Sequence, residues 1–311
     1  MLRRSILFLS RQPKLAAFVR DNRLAKRFAS RFVAGETIED AVRAVRELNA
    51  QGITATMDLL GESVTSAEEA AAVADEYVRL LDRMQTERLQ GNVSVKLTAM
   101  GQDIAEAVCL TNIGTVLQRA RSHDSFVRLD MESSEYTEKT LQLFRDKLFP
   151  EFPGQVGIVL QSYLYRTAAD VEEAIATHCR VRLCKGAYRE PPAVAYPRKA
   201  DVDASYVRCM ERLLRDGTYP GIATHDEKIL AHARAFVERE GIARDRFEFQ
   251  MLYGVRRDLQ QQLVRDGYRV RVYVPYGTQW YPYLMRRLAE RPANVMFILG
   301  NLVRETIGKR R

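Results

Sequence analysis

Residues 268–294 read YRVRVYVPYGTQWYPYLMRRLAERPAN. The run 269–274 is β-branched and aromatic and reads as a strand. Pro275, Tyr276 and Gly277 then read as a turn. A helix is expected to start within 278–282, with Thr278 as its cap and Pro282 in the first turn, where a missing N–H costs little. On that helix Tyr283, Arg286, Arg287 and Glu290 fall at i, i+3, i+4 and i+7, which is one face. Two adjacent guanidiniums between an aromatic and an acid are poor core material. They suit a small carboxylate, because paired Arg forks match its two oxygens. The plain alternative is a solvated face with i, i+4 salt bridges. The position of the helix, directly after a strand end, weighs against it.

The same strand-then-helix unit recurs upstream. Strands are expected at 54–60, 92–97, 126–131, 156–161, 180–185, 221–225, 246–252 and 268–274. Helical patterns lie between and after them, at 66–84, 103–121, 134–148, 168–177, 202–215, 226–240, 256–265 and 281–291. Eight such units point to an α/β fold of the TIM-like (β/α)8 barrel type. The strands are short and rich in Val, Leu, Ile and Phe, as buried parallel strands are. Residues 1–53 read as an extension of two or three extra N-terminal helices, one at 38–51, before a catalytic barrel at 54–311. A last short helix is expected at 294–307.

The chain has 311 residues, 46% hydrophobic and 28% charged, as in ordinary globular proteins. No apolar run is long enough to cross a membrane. Cys109, Cys179, Cys184 and Cys209 form no CxxC pair, which argues against a disulfide framework or a zinc site. The net charge of +8 lies wholly in residues 1–35, which hold nine Lys or Arg and one acid, Asp21. That segment reads as a scaffold helix with a basic outer face, a surface for anionic lipid, or an Arg-rich presequence. Nucleic-acid binding is disfavoured because the rest of the chain is neutral.

A barrel carries its active site at the strand C-terminal ends. Those ends offer Asp58 and Glu62, Lys96, Asp130 and Glu132, Gln161, Arg182 and Lys185, Thr224 and His225, Gln250, and Tyr273. Lys96 and Asp130, on adjacent strands, are expected to pair, since a charge in an apolar strand is costly unless matched. A structural ion pair explains those two alone. A polar residue at every strand end points instead to a sizeable polar ligand over the mouth. The four histidines show no metal-ligand spacing, so no metal is expected. No GxGxxG, P-loop or GxSxG motif occurs.

With these residues placed, the chain resembles proline dehydrogenases of the monofunctional bacterial type. The matching pieces are RFVAGET at 31–37, DLLGE at 58–62, VSVKLTAMG at 93–101, VRLDMES at 127–133, VRLCKGAYRE at 181–190, ATHDEK at 223–228, FEFQMLYG at 247–254 and the YVPYG-to-RRLAERPAN block. The resemblance implies a distorted barrel that binds FAD without a Rossmann domain, its eighth helix over the mouth. It implies flavin-dependent oxidation of L-proline to 1-pyrroline-5-carboxylate by hydride transfer from proline C5 to flavin N5. Electrons would pass to a membrane quinone. By this resemblance Arg286 and Arg287 clamp the substrate carboxylate and Glu290 supports them. Tyr273 and Tyr283 pack on the ring, and Lys96 and Asp130 lie at its polar end. Glu62 pairs with the second arginine as a gate. Arg182 meets the flavin N5 edge, while Gln161, Lys185, Gly186, Ala187, Tyr188, Thr224, His225 and Gln250 line the FAD. Hydroxyproline is an alternative substrate. The expected location is the bacterial cytoplasm, with residues 1–35 as a peripheral contact to the inner face of the membrane. Two readings stand beside this one: a Schiff-base barrel using Lys96 or Lys185 as nucleophile, and a non-enzymatic basic binding protein.

Overall fold

Eight parallel strands close into a barrel in chain order, each bonded to its sequence neighbour and the eighth to the first. The computed structural model describes residues 29–290, and of residues 288–290 the backbone only. In order the elements are α1 (Ile38–Asn49), β1 (Thr54–Leu59), α2 (Ala67–Thr86), β2 (Gly91–Val95), α3 (Glu106–Ser122), β3 (Val127–Leu129) and α4 (Ser134–Leu143). They continue with β4 (Val156–Gln161), α5 (Thr167–Ala176), β5 (Arg180–Cys184), α6 (Lys199–Asp216), β6 (Gly221–Ala223), α7 (Glu227–Arg239), β7 (Glu248–Leu252), α8 (Arg257–Arg265), β8 (Val270–Tyr276) and α9 (Trp280–Glu290). The eight expected strands and their helices are all present. The expected helix at 294–307 and residues 1–28 of the basic segment lie outside the described residues.

Local chemistry sets several boundaries. Thr37 and Asp40 form a capping box at α1, each side chain accepting from the other's backbone N–H. Ser66 caps α2 by accepting from the Glu69 N–H. Two expectations need correction. The helix expected over 134–148 leaves α-geometry after Leu143 and passes through a π-turn, Phe144–Leu148, that keeps Phe144 and Leu148 in the core. The strand expected to end at 274 runs on through Pro275 and Tyr276. Pro275 pairs in register with Asp58, and its carbonyl accepts from the Ala34 N–H at 2.9 Å. The helix after it starts at Trp280, two residues past Thr278.

The last unit is displaced, and α1 compensates. α1 packs on β1 and β8 and buries Ile38, Ala41, Val45 and Leu48 in the same core as the strands. It therefore fills the outer slot that the helix after β8 would otherwise occupy. α9 lies over the strand C-terminal ends, with Tyr283, Arg286 and Arg287 facing the central cleft. Ala29, Phe32 and Val33 form a small apolar cluster with Leu60, Trp280, Tyr281, Tyr283 and Leu284 that holds α9 there. The Trp280 indole also donates to Glu36 at 3.1 Å. No described helix is long and apolar enough to cross a membrane.

The barrel interior is polar. Alternate residues of β1, β2, β5, β7 and β8 form a buried chain of contacts. Thr56 donates to Asn92 at 2.5 Å, and Arg271 donates to Asn92 at 2.9 Å and to Glu248 at 2.6 Å. Gln250 donates to Glu248 at 2.6 Å and accepts from Arg182 Nε at 2.6 Å. Two strand glycines make room for it. A Cβ at Gly221 would sit 2.3 Å from the Gln250 amide nitrogen, and one at Gly157 would sit 2.9 Å from an Arg128 nitrogen. Burial works to raise the Glu248 carboxyl pKa, but Arg271 beside it, Gln250 and Arg128 together outweigh burial and keep it below the ordinary value.

Candidate active site

The top of that chain of contacts is the floor of the cleft. Arg182 Nη1 donates to Asp130 Oδ1 at 2.6 Å and to Ser94 at 3.2 Å, while Ser94 donates to the same carboxylate oxygen at 2.6 Å. Tyr273 donates to Asp130 Oδ2 at 2.7 Å, and the Arg182 guanidinium lies 5.2 Å from the Tyr273 ring centre. Asp130 is thus held by three donors. Burial pushes its pKa up, but Arg182 and then Lys96 outweigh this and hold it below the usual carboxylate range.

Lys96 is not the main partner of Asp130, as expected from the sequence, but of Asp58. Its ammonium lies 2.9 and 3.1 Å from the two Asp58 oxygens and 3.9 Å from Asp130. Lys96 follows β2, which lies between β1 and β3, and Asp130 is already claimed by Arg182 from β5, two strands away. Burial pulls the Lys96 pKa down, yet Asp58, and Asp130 behind it, raise it above its ordinary value. A Schiff-base nucleophile must be a free amine. Lys96 is held charged, and Lys185 is paired with Asp203 at 2.6 Å and Asp226 at 2.9 Å. The geometry therefore disfavours the Schiff-base reading for both lysines.

Above the floor is a cavity of about 630 Å³. It is lined by Glu62, Lys96, Asp130, Gln161, Arg182, Lys185, Gly186, Ala187, Tyr188, Thr224, His225, Gln250, Tyr273, Tyr283, Arg286 and Arg287. The structure thus brings together every residue to which the resemblance gave a role except Glu290, whose side chain lies outside the described residues. Sequence reasoning noted Asp58 and Glu132 but gave them no part, and missed Ser94 and Glu248 altogether. All four follow the strand alternation, which was the available signal. His225 accepts from the Leu252 N–H at 2.9 Å, which fixes its ring against β7. Glu62 accepts from Arg286 at 2.9 Å, so its partner is the first arginine of the pair, where the resemblance put the second. Lys96, Arg182, Lys185, Lys199, Arg286 and Arg287 face Asp58, Glu62, Asp130 and Asp226 around the cleft, a surplus of positive charge suited to an anionic ligand.

Glu132 sits just behind this lining, 5% exposed, and accepts from the Thr98 N–H at 3.3 Å and hydroxyl at 2.8 Å. Burial pushes its pKa up from 4.5 to about 7. Between those values the native protein holds a proton that the unfolded chain has released. Stability should therefore fall as pH rises through that window and level off above it, by at most on the order of 3 kcal/mol. Glu132→Gln should flatten this slope in urea denaturation compared near pH 5 and near pH 7.5. An equally steep slope in the variant would assign it to another group.

A parallel barrel with a cation-rich cleft over a buried ion network, roofed by the helix that follows its eighth strand, defines an α/β-barrel enzyme with its active site at the strand C-terminal rim. The chain belongs to the proline dehydrogenase family: a sequence model of that family, described as Proline dehydrogenase, matches residues 41–299. It is 42% identical over 308 residues to a proline dehydrogenase of Deinococcus radiodurans, covering 98% of each chain. It is 42% identical to proline dehydrogenase 1 of Bacillus subtilis, over 98% of this chain and all of that one. Among solved structures it resembles proline utilization A (PutA) from Bdellovibrio bacteriovorus inactivated by N-propargylglycine, with a TM-score of 0.80 and 29% identity. That match covers 89% of this chain and 34% of the PutA chain, so this chain spans about a third of its length. The protein is an oxidoreductase acting on CH–NH donors, a proline dehydrogenase of proline catabolism.

Proposed function

We propose that this chain oxidises L-proline to 1-pyrroline-5-carboxylate, using FAD bound over the barrel mouth, and that the electrons go on to a quinone. The observation that carries this is the facing arrangement within one cavity. Arg286 and Arg287 look down from α9, and the Arg182 guanidinium looks up from the floor. Arg182 is 6% exposed, and its Nη2 is buried with no hydrogen-bond partner. So is Oε1 of Gln161, whose amide nitrogen donates to the Glu132 carbonyl at 3.2 Å. Buried polar atoms without partners are costly and call for a ligand. One donor and one acceptor suit the mixed donor and acceptor rim of a flavin ring. The apolar walls Met251 and Leu252 suit its faces, and Lys185 and Lys199 suit a pyrophosphate.

When bound, the flavin supplies the hydride acceptor. The chain's own residues orient and neutralise. Arg286 and Arg287 fix the substrate carboxylate, which leaves the pyrrolidine ring one way to lie. Tyr273 and Tyr283 bound the ring. Tyr273 is held by Asp130, so its position is set by the floor. α9 excludes water from above. Lys96 with Asp58 supplies a fixed charge pair at the polar end of the ring, and the proline amine must lose its proton for C5 to release hydride. Gln161, Gly186, Ala187, Tyr188, Thr224, His225 and Gln250 line the flavin. We place the catalytic barrel at 54–311, with 1–53 as a helical extension and residues 1–35 as its side toward a membrane.

The test is an absorbance spectrum of the purified protein before and after anaerobic addition of L-proline, followed by anionic vesicles carrying a quinone. The visible flavin bands should bleach with proline and return with the vesicles. Bands that persist after proline would overturn the substrate. Bleached bands that the vesicles do not restore would overturn the quinone step.

A further inference from the structure

Segment 185–198 joins β5 to α6 with 14 residues. Loops that long without regular structure are usually mobile. Its first residues, Lys185 to Tyr188, nonetheless line the cleft. One residue of the β4–α5 loop holds both limbs of it. The Tyr163 N–H donates to the Lys185 carbonyl at 3.0 Å, and the Tyr163 carbonyl accepts from the Tyr196 N–H at 2.8 Å. The Tyr163 ring lies directly under Gly186. A Cβ there would be 2.5 Å from the ring, and Gly186 has φ +108°, where only glycine is at ease.

The Tyr163 hydroxyl then donates to Glu190 Oε1 at 3.0 Å. The same carboxylate accepts from the Ser134 N–H at 2.9 Å and from the Ser134 hydroxyl. That N–H is the first of α4, whose cap residue Ser133 makes no side-chain cap bond. Glu190 thus does from 56 residues away what a local cap would do, with the negative charge favoured at a helix N-terminus. α4 follows directly on Asp130 and Met131, which line the cleft. One half-buried carboxylate therefore ties together the loops after β3, β4 and β5.

We infer that Glu190, with Tyr163 and Ser134, is a clamp that pre-positions the Lys185–Tyr188 segment for the cofactor. These are positioning residues, since none is argued to touch substrate or flavin. The inference rests on the flavin reading above. A loop already ordered before binding costs less to close on a ligand. Without the clamp, FAD would have to order the loop as it binds.

The experiment compares apo-protein of the wild type with Glu190→Ala, Tyr163→Phe and their double variant. Tyr163→Phe keeps the ring under Gly186 and removes only the hydroxyl. Hydrogen exchange of amides 185–190 is followed without FAD, and FAD is then titrated by fluorescence quenching. Each single variant should exchange faster across 185–190 and bind FAD about tenfold or more weakly. The double should lie within about threefold of the worse single, because carboxylate and hydroxyl act as one unit. A purely structural role would lower Tm and leave the FAD Kd unchanged, and that result overturns the inference. So does unchanged exchange in all variants. If Glu190→Ala fails to fold, Ser134→Ala, which keeps the N–H and removes one donor, must still raise both the exchange rate across 185–190 and the FAD Kd above wild type, and no rise in either overturns the inference. Wild-type protein that exchanges slowly but binds no FAD would bring down the flavin reading and the cofactor role together. The exchange rates of the variants would still decide the clamp itself.

Discussion

Arg286→Ala should raise the KM for L-proline by about 30- to 1,000-fold, and Arg287→Ala should do the same. A charged, bidentate contact in a closed site is worth roughly 2–4 kcal/mol. Three observations place these side chains for that task. Both line the cleft from α9, facing Arg182 below. The Arg286 side chain is only 22% exposed, so solvent does not screen it fully. Its partner Glu62, at 2.9 Å, fixes the guanidinium before substrate arrives. Burial works to lower the Arg286 pKa, but Glu62, Tyr188 and Tyr273 together outweigh it and raise the pKa, so the charge is kept. In the proposed mechanism the carboxylate is remote from the reacting C5–H bond, so losing its contact weakens ground state and transition state alike and appears mainly in KM. Arg286→Lys keeps the charge without the fork and should fall between wild type and Ala. Steady-state kinetics with FAD saturating checks this. An unchanged KM in both Ala variants would remove the clamp from the mechanism.

The roof was legible in the sequence because its signal is local. A strand, a turn and an i, i+3, i+4 set of one tyrosine and two arginines lie within 27 residues of one another. The eight strands were legible for the same reason, each an apolar run between polar turns. The polar barrel interior was present as alternation, as in Asn92-Val-Ser94-Val-Lys96 and Arg271-Val-Tyr273, but the apolar half of each strand dominates its composition. Which charges pair could not be read, because β2 has two neighbours and register chooses between them. Asp58 stands opposite Ser94 across β1 and β2, while Asp130 is taken by Arg182 from two strands away. The displacement of α9 came only from the resemblance, and the use of α1 to fill its slot came only from the structure. No local pattern announces that a helix before the barrel will replace one after it. Glu190 was passed over because a lone acid in a Pro-rich loop carries no periodicity, and its partners lie 27 and 56 residues away.

Arg182→Met should destabilise the apo-protein by about 3–5 kcal/mol at neutral pH, because it leaves a buried anion without its cation. Arg182 is 6% exposed and closes the floor at Asp130, Ser94 and Gln250. With it gone, Asp130 keeps the Ser94 and Tyr273 hydroxyls, but its nearest cation becomes Lys96 at 3.9 Å, already engaged by Asp58. Two hydroxyl donors do not replace a guanidinium in a low-dielectric site. The pH dependence separates this cause from simple loss of packing. In the wild type the Asp130 pKa is depressed below 3.8, so the pair's contribution is full above that value and is lost as pH falls through the folded pKa. In the variant burial acts unopposed by Arg182 and the Asp130 pKa rises. Native protein then takes up a proton on acidification, and stability is regained as pH falls. The gap between variant and wild type should therefore narrow between about pH 7 and pH 5, whereas a packing defect would keep it constant. Asp130→Asn combined with Arg182→Met should be less destabilised than the two single losses added together, since the second change removes the stranded charge. Urea denaturation of the four proteins at both pH values measures all of this. A variant within about 1 kcal/mol of wild type at neutral pH would mean that the floor is not held by this pair. The guanidinium's place under the cleft would then have to be explained by the ligand alone.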